Sequence, residues 1–201
     1  MATTITRVGF GQVEPNHLSA QRTAQIYAQL PAASSIKVLE NGQFVKYDYA
    51  KGECNFSGAG EWMMVFNEVK LYDDFWRESY KDFAMLEENY TEGGIVSHPG
   101  LGIGGPSFEG RMVPRVIKTN VGDIYTTNCL TAANTNGKAV VEWDLTTEDL
   151  EDLANKPVYV APNATGFLAK AENAEGDFVW QVVKFYTMAD GQPAVKLMRV
   201  K

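Results

Sequence analysis

Apolar and polar residues alternate with the two-residue period of a β-strand through much of the chain, and glycine or asparagine turns punctuate the alternation. In residues 44–49, Val45, Tyr47 and Tyr49 share one face, and Phe44, Lys46 and Asp48 share the other. Asn41 and Gly42 form a strong tight-turn signal between residues 36–39 and 44–49, and predict a hairpin with positive φ. Lys51 and Gly52 turn the chain again, and residues 57–60 give a third break. Residues 62–66 are continuously apolar at strand length, which predicts burial on both faces. Strand pattern returns over 112–130, with a further turn at 134–137. It continues over 158–161, 167–170, 178–186 and 195–200, broken at Asn163, Gly176 and Asp190 with Gly191. Short strands at this spacing predict a mainly β fold with minor α, a barrel or a sandwich.

Two segments read as helices. Residues 73–88 place Phe75, Ser79, Phe83 and Leu86 near one face, with Trp76 and Tyr80 beside them. Asp73 and Asp74 suit the N-terminal end of its dipole. Residues 146–155 form a shorter helix, capped by Thr146, acidic in its first turn and followed by Pro157. Residues 23–30 fit two patterns. Ala24, Ile26, Ala28 and Leu30 alternate as in a half-buried strand, while Ala and Gln also favour a helix beginning near Ser19. Residues 1–22 are polar and broken by Gly9, Gly11 and Pro15, and read as an extended N-terminal arm. The remainder, 23–201, reads as one β-rich domain interrupted by a glycine-rich loop at 89–110, with seven glycines and two prolines.

Composition narrows the classes. The chain has 201 residues, 45% of them apolar, and a net charge of −7. That is enough chain for a core without covalent staples. The acidic balance excludes the positive footprint that nucleic-acid binding needs. No stretch has the length or apolarity of a membrane span, and the N-terminal residues lack an apolar signal core, so a cytoplasmic origin is expected. Cys54 and Cys129 are expected to be buried free thiols. Asn55, Asn89 and Asn163 sit in glycosylation-type triplets, read here as polar turns.

The candidate chemistry is sparse. Gly100, Gly102 and Gly105 match a dinucleotide-binding spacing, but His98 and Pro99 precede it and Pro106 follows it, so no strand-to-helix context is present. His17, His98, Cys54 and Cys129 lie too far apart for a metal-binding spacing. Asp73 with Asp74, Glu87 with Glu88 and Glu148 with Asp149 are sequence neighbours, which do not converge on a substrate from a helix. The chain is therefore expected to be non-catalytic, with no catalytic, cofactor-binding or metal residues. Aromatics near turns, Tyr49 and Tyr90, read as interface anchors.

A polar arm, a β-rich body and a long glycine loop fit a particle-assembly protein. The strand–turn–strand texture of residues 38–56 resembles that of tailed-phage head decoration (cement) proteins, auxiliary capsid proteins. Residues 8–32 and 180–201 are similar in texture to segments of phage virion proteins. The resemblance implies a β-tulip or barrel-like body on the exterior of an icosahedral capsid. Its partner would be the major capsid protein, and a homotrimer, an arm lying on that protein and synthesis in a bacterial cytoplasm are also implied. Contact residues expected on this basis are Val8, Phe10, Val13, Leu18, Tyr90, Ile95, Leu101, Ile103 and Phe108. Alternative placements are a tail, neck or fibre-base component, or a small β-rich carbohydrate-binding domain or enzyme. The 73–88 helix and the 89–110 loop depart from the small decoration proteins.

Overall fold

The computed structural model describes residues 1–67, 83–87, 111–131 and 140–201. These hold β1 (Thr4–Val8), β2 (Val13–His17), α1 (Ser19–Thr23), β3 (Ile26–Tyr27), β4 (Val38–Glu40), β5 (Phe44–Asp48), β6 (Glu53–Asn55), β7 (Trp62–Val65) and β8 (Ala84–Leu86). They continue with β9 (Val116–Lys118), β10 (Ile124–Thr127), β11 (Val140–Thr146), α2 (Thr147–Leu150), β12 (Tyr159–Pro162), β13 (Leu168–Ala171), β14 (Trp180–Thr187) and β15 (Pro193–Arg199). The expected mainly β, sandwich-like body is present, and none of its sheets closes into a barrel. One sheet runs β13-β12-β14-β15-β10-β2, a second runs β3-β9-β7-β5-β6, and β1-β11 and β4-β8 are two-stranded ribbons.

The five-stranded sheet is the middle layer. Phe44, Met64 and Ile117 point from it into a core shared with Tyr125, Trp180, Val195 and Leu197 of the six-stranded sheet and with Ile5, Trp143 and Leu145 of the β1-β11 ribbon. Val45, Tyr47, Met63, Val65 and Val116 point the other way, against Leu39, Met85, Ile36 and Met112. The expected two-faced burial of the 62–66 run is therefore met, and the face assignment within β5 holds. Both cysteines are buried free thiols, with Cys54 lying in the second core.

Residues 1–22 are not an arm outside the core. β1 pairs antiparallel with β11, and β2 pairs with β10 at the edge of the six-stranded sheet. Ile5, Val13, Leu18 and Ala20 are buried in the first core. Apolar density along this segment is low, but Ile5, Val13, Leu18 and Ala20 face inward, while Val8 faces solvent. Arg7, fully buried, binds Glu40 at 2.6 Å and also donates to the Gly9 carbonyl at 2.6 Å. The same Glu40 oxygen accepts the Gly11 amide at 2.7 Å. The ambiguity at 23–30 resolves into both alternatives. α1 ends at Ala24, a left-handed residue with φ 56°, and β3 follows.

Two further expectations are corrected. Residues 84–86 of the expected 73–88 helix form β8, paired with β4, and residues 73–82 and 88 lie outside the described residues. Backbone pairing decides this. Phe83 donates to Gly11 and accepts from Asn41, and Glu87 donates to Lys37. Asn41 and Gly42 do make a tight turn, in which Gln43 donates to Glu40 at 3.1 Å and Gly42 has φ +90°. It is a corner rather than a hairpin, because β4 pairs with β8 while β5 pairs with β6 and β7. Asp190 and Gly191, by contrast, close a true hairpin between β14 and β15. The 146–155 helix is a single turn, α2, and Thr146 with Asp149 forms a capping box.

Three stability outcomes follow. Glu40→Ala leaves the Arg7 guanidinium buried without its counter-charge, so it is expected to destabilise the fold by about 3–5 kcal/mol in denaturant titration. Deleting residues 1–22 is expected to abolish the cooperative transition, because two strands and part of the first core go with them. A Cβ on Gly42 would sit 2.7 Å from Cys129 Cβ and 2.9 Å from Thr127 Oγ1 in a left-handed backbone. Gly42→Val is therefore expected to cost about 2 kcal/mol or more, and an unchanged denaturation midpoint would contradict the corner geometry.

Candidate functional site

At one end of the five-stranded sheet both of its faces reach the surface. Register sets what emerges there: Lys46 lies opposite Trp62, and Met63 lies opposite Lys118. On the outer-layer face, Tyr27, Tyr47 and Tyr49 form a ladder. The Tyr27 and Tyr47 rings are 6.4 Å apart at 68°, and the Tyr47 and Tyr49 rings are 5.7 Å apart at 90°. Both are edge-to-face arrangements that aromatic quadrupoles favour. With Met63, Glu61 and Lys118, the ladder encloses a cleft of about 180 Å³. Tyr47 is buried and Tyr49 is 74% exposed. The Tyr47 hydroxyl accepts from the Gln29 amide at 3.4 Å, and burial pushes its pKa up, so it stays neutral at physiological pH. Asp48 shapes the turn after Tyr49. Its carboxylate accepts the Lys51 amide at 3.1 Å, which holds its pKa below the usual carboxylate range.

The inner-layer face opens into a wider groove of about 590 Å³ that shares Gly60 and Glu61 with the cleft. Lys46 Nζ stands 4.7 Å from the Trp62 ring centroid, and the Arg199 guanidinium stands 4.2 Å from that of Phe178. Glu61 is the divide between the two chambers. One of its oxygens binds Arg199 at 3.0 Å and the other binds Lys118 at 3.1 Å. Arg199 is itself fixed by the Thr119 hydroxyl and carbonyl and by the Lys201 carbonyl. Rigid aromatic walls with donors and acceptors at the rim make a binding site for a ligand that stacks and hydrogen-bonds.

A second surface is the outer face of the β1-β11 ribbon. Val8 and Val140 are direct cross-strand partners, 56% and 53% exposed. On the opposite face of β11, buried Trp143 packs against the partly exposed Phe185, with ring centroids 6.5 Å apart.

The expected contact residues divide three ways. Val8 is exposed on β1 and Phe10 is half-buried beside it. Val13 and Leu18 are core residues at 5% and 3% exposure, so a partner cannot reach them in the folded chain. Tyr90, Ile95, Leu101, Ile103 and Phe108 lie outside the described residues, as do His98 and the glycine motif at 100–105. Of the turn aromatics, Tyr49 does stand at a surface cleft. Glu61, Trp62, Lys118 and Arg199 carried no local signal as a site, since Arg199 and Glu61 are 138 positions apart in sequence. Asn55 and Asn163 act as turn formers, each accepting backbone amides two and more residues ahead. Among the described residues no group of three or more His, Cys, Asp or Glu side chains is placed to hold a metal ion.

A third concavity, of about 700 Å³, borders α2. There burial works against ionisation of Asp149, but the Lys170 ammonium and the capping-box hydrogen bonds outweigh it and hold the Asp149 carboxyl below its ordinary range. A carboxyl with a lowered folded pKa stabilises the fold above its unfolded pKa. That contribution is lost as pH falls through the folded value. Asp149→Asn is therefore expected to lower stability at neutral pH and to flatten the acid limb of the stability profile, as read by thermal melts from neutral to acidic pH.

Comparison of the chain with protein-family models, with curated proteins and with solved structures finds no match.

Proposed function

We propose that this chain is a structural virion protein that binds the outside of an icosahedral phage capsid and stabilises contacts between capsid subunits. The observation that carries this reading is the Val8–Val140 pair, two apolar side chains facing solvent side by side on a ribbon fixed by a buried ion pair. Single exposed apolar residues are ordinary; here two stand side by side on a stiff ribbon and form one small apolar patch that a partner can cover. The phage-like texture of residues 38–56 supports the choice of partner, the major capsid protein, and of a trimer as the assembled form. The mode of contact differs from strand addition by a free arm, because the N-terminal segment is already paired within the fold. Docking through a preformed face avoids the entropy cost of ordering a segment on binding. The role needs neither catalysis nor a cofactor.

The test is co-sedimentation with heads of the virus that encodes the chain. Wild type is expected to pellet with heads and to raise their thermal stability. Val8→Lys combined with Val140→Glu is expected to keep the melting temperature of the free protein, since both positions are exposed and opposite charges face each other across the ribbon, and to bind heads at least about tenfold more weakly. Normal decoration by this variant overturns the contact surface. Recovery with isolated tails in place of heads overturns the capsid placement.

A further inference from the structure

The aromatic end of the five-stranded sheet is separate from the Val8–Val140 ribbon in its residues, and its chemistry points to a different ligand. We infer that the cleft and groove flanking Glu61 bind a neutral, extended oligosaccharide.

Stacking surfaces come first. Tyr49 is 74% exposed, and Tyr27 and Trp62 are half-buried and line the two chambers. The apolar C–H face of a pyranose packs on such rings. Lys46 now covers Trp62 and is a flexible side chain. A sugar ring takes its place there, and the displaced ammonium donates to a hydroxyl.

The rim decides between ligand classes. It carries three cations, Lys46, Lys118 and Arg199, and two carboxylates, Glu61 and Asp177. A sugar hydroxyl both donates and accepts, so it matches either sign. A proline-rich peptide is the other ligand that aromatic grooves favour. Its prolines offer carbonyl acceptors and no N–H donors, which would leave Asp177 facing acceptors. A strongly anionic glycan would meet the Asp177 carboxylate and find Lys118 and Arg199 already paired with Glu61. Near-balanced charge at this end of a chain whose net charge is −7 therefore selects a neutral ligand.

Shape sets the length. Two chambers of about 180 and 590 Å³ share the Gly60 and Glu61 rim, so the ligand spans more than one sugar. Glu61 is held by cations from β9 and β15, on separate sheets, and Tyr47 is locked in the second core. Apart from the displacement of Lys46 from Trp62, the site is thus preformed, and little ordering opposes binding.

The experiment titrates the full chain with cellohexaose and with chitohexaose, followed by intrinsic fluorescence and calorimetry. At least one is expected to bind saturably in the micromolar to millimolar range, with little change on raising sodium chloride. Tyr49→Ala and Trp62→Ala are each expected to weaken that binding about tenfold. Tyr49 is exposed enough for its variant to keep the wild-type melt, so the readout survives if Trp62→Ala fails to fold. The inference is overturned if neither sugar saturates at millimolar concentration, or if affinity is unchanged in the Tyr49 variant. It is equally overturned if only heparin oligosaccharides bind and salt abolishes the signal, or if a polyproline peptide binds and the sugars do not. None of these outcomes depends on whether the chain decorates a capsid.

Discussion

The buried pairing of Arg7 with Glu40 fixes the corner on which the layers are hung. Glu40 ends β4, and the next three residues turn into β5. Within that corner nearly every polar group reaches a different part of the chain. Glu40 holds Arg7 and Gly11 of the N-terminal segment. The Asn41 side chain donates to the Asn67 carbonyl and accepts from the Asn67 backbone amide, and the Asn41 backbone amide donates to the Phe83 carbonyl. Gly42 and Gln43 pair with Val65, while Gln43 Nε2 and the Phe44 amide reach the Thr165 and Gly166 carbonyls in the β12–β13 turn. An ion pair placed there adds little net stability over an apolar substitute. Removing one partner alone is costly, so it specifies which segments meet.

That corner explains why the middle sheet can be buried on both sides. β5 leaves it between the six-stranded sheet, tethered through Gly166, and the β4-β8 ribbon, tethered through Phe83. A sheet covered on both faces exposes side chains only at its ends. The ladder of Tyr27, Tyr47 and Tyr49 and the Glu61 junction stand at such an end, where stiffness comes from the core behind them and exposure from the lack of a further layer.

Local pattern in the sequence revealed what is local in the fold. The face assignment in β5, the apolar run of β7, the Asp190–Gly191 hairpin and the Thr146 cap all depend on residues within a few positions of each other. What escaped is non-local. Arg7 reads as one polar residue in a polar segment, and only its pairing 33 positions away makes it a core residue. Residues 83–87 carry helix-compatible spacing, but Phe83 and Met85 also fit a strand, and pairing with β4 decides between them. The Asn41 and Gly42 signal correctly marks a turn. It cannot say whether the strands it joins will pair with each other. Of the candidate site, Tyr49 was legible as an aromatic beside a turn, while Glu61 acquires meaning only when Lys118 and Arg199 arrive from two sheets.

The same distinction bears on function. Val13 and Leu18 are expected contact residues only if the N-terminal segment is a free arm, yet apolar residues are also what a thin segment uses to anchor itself. With the inward residues of the segment spent on the core, its outward residues become the available surface, and on β1 the exposed apolar one is Val8. Strand alternation thus converts a folded arm into a presented face: burying Ile5 and Arg7 on one side of β1 obliges Thr4, Thr6 and Val8 to face solvent on the other. A binding face made this way is as rigid as the core beneath it. Affinity there is then set by side-chain complementarity rather than by the cost of ordering a chain.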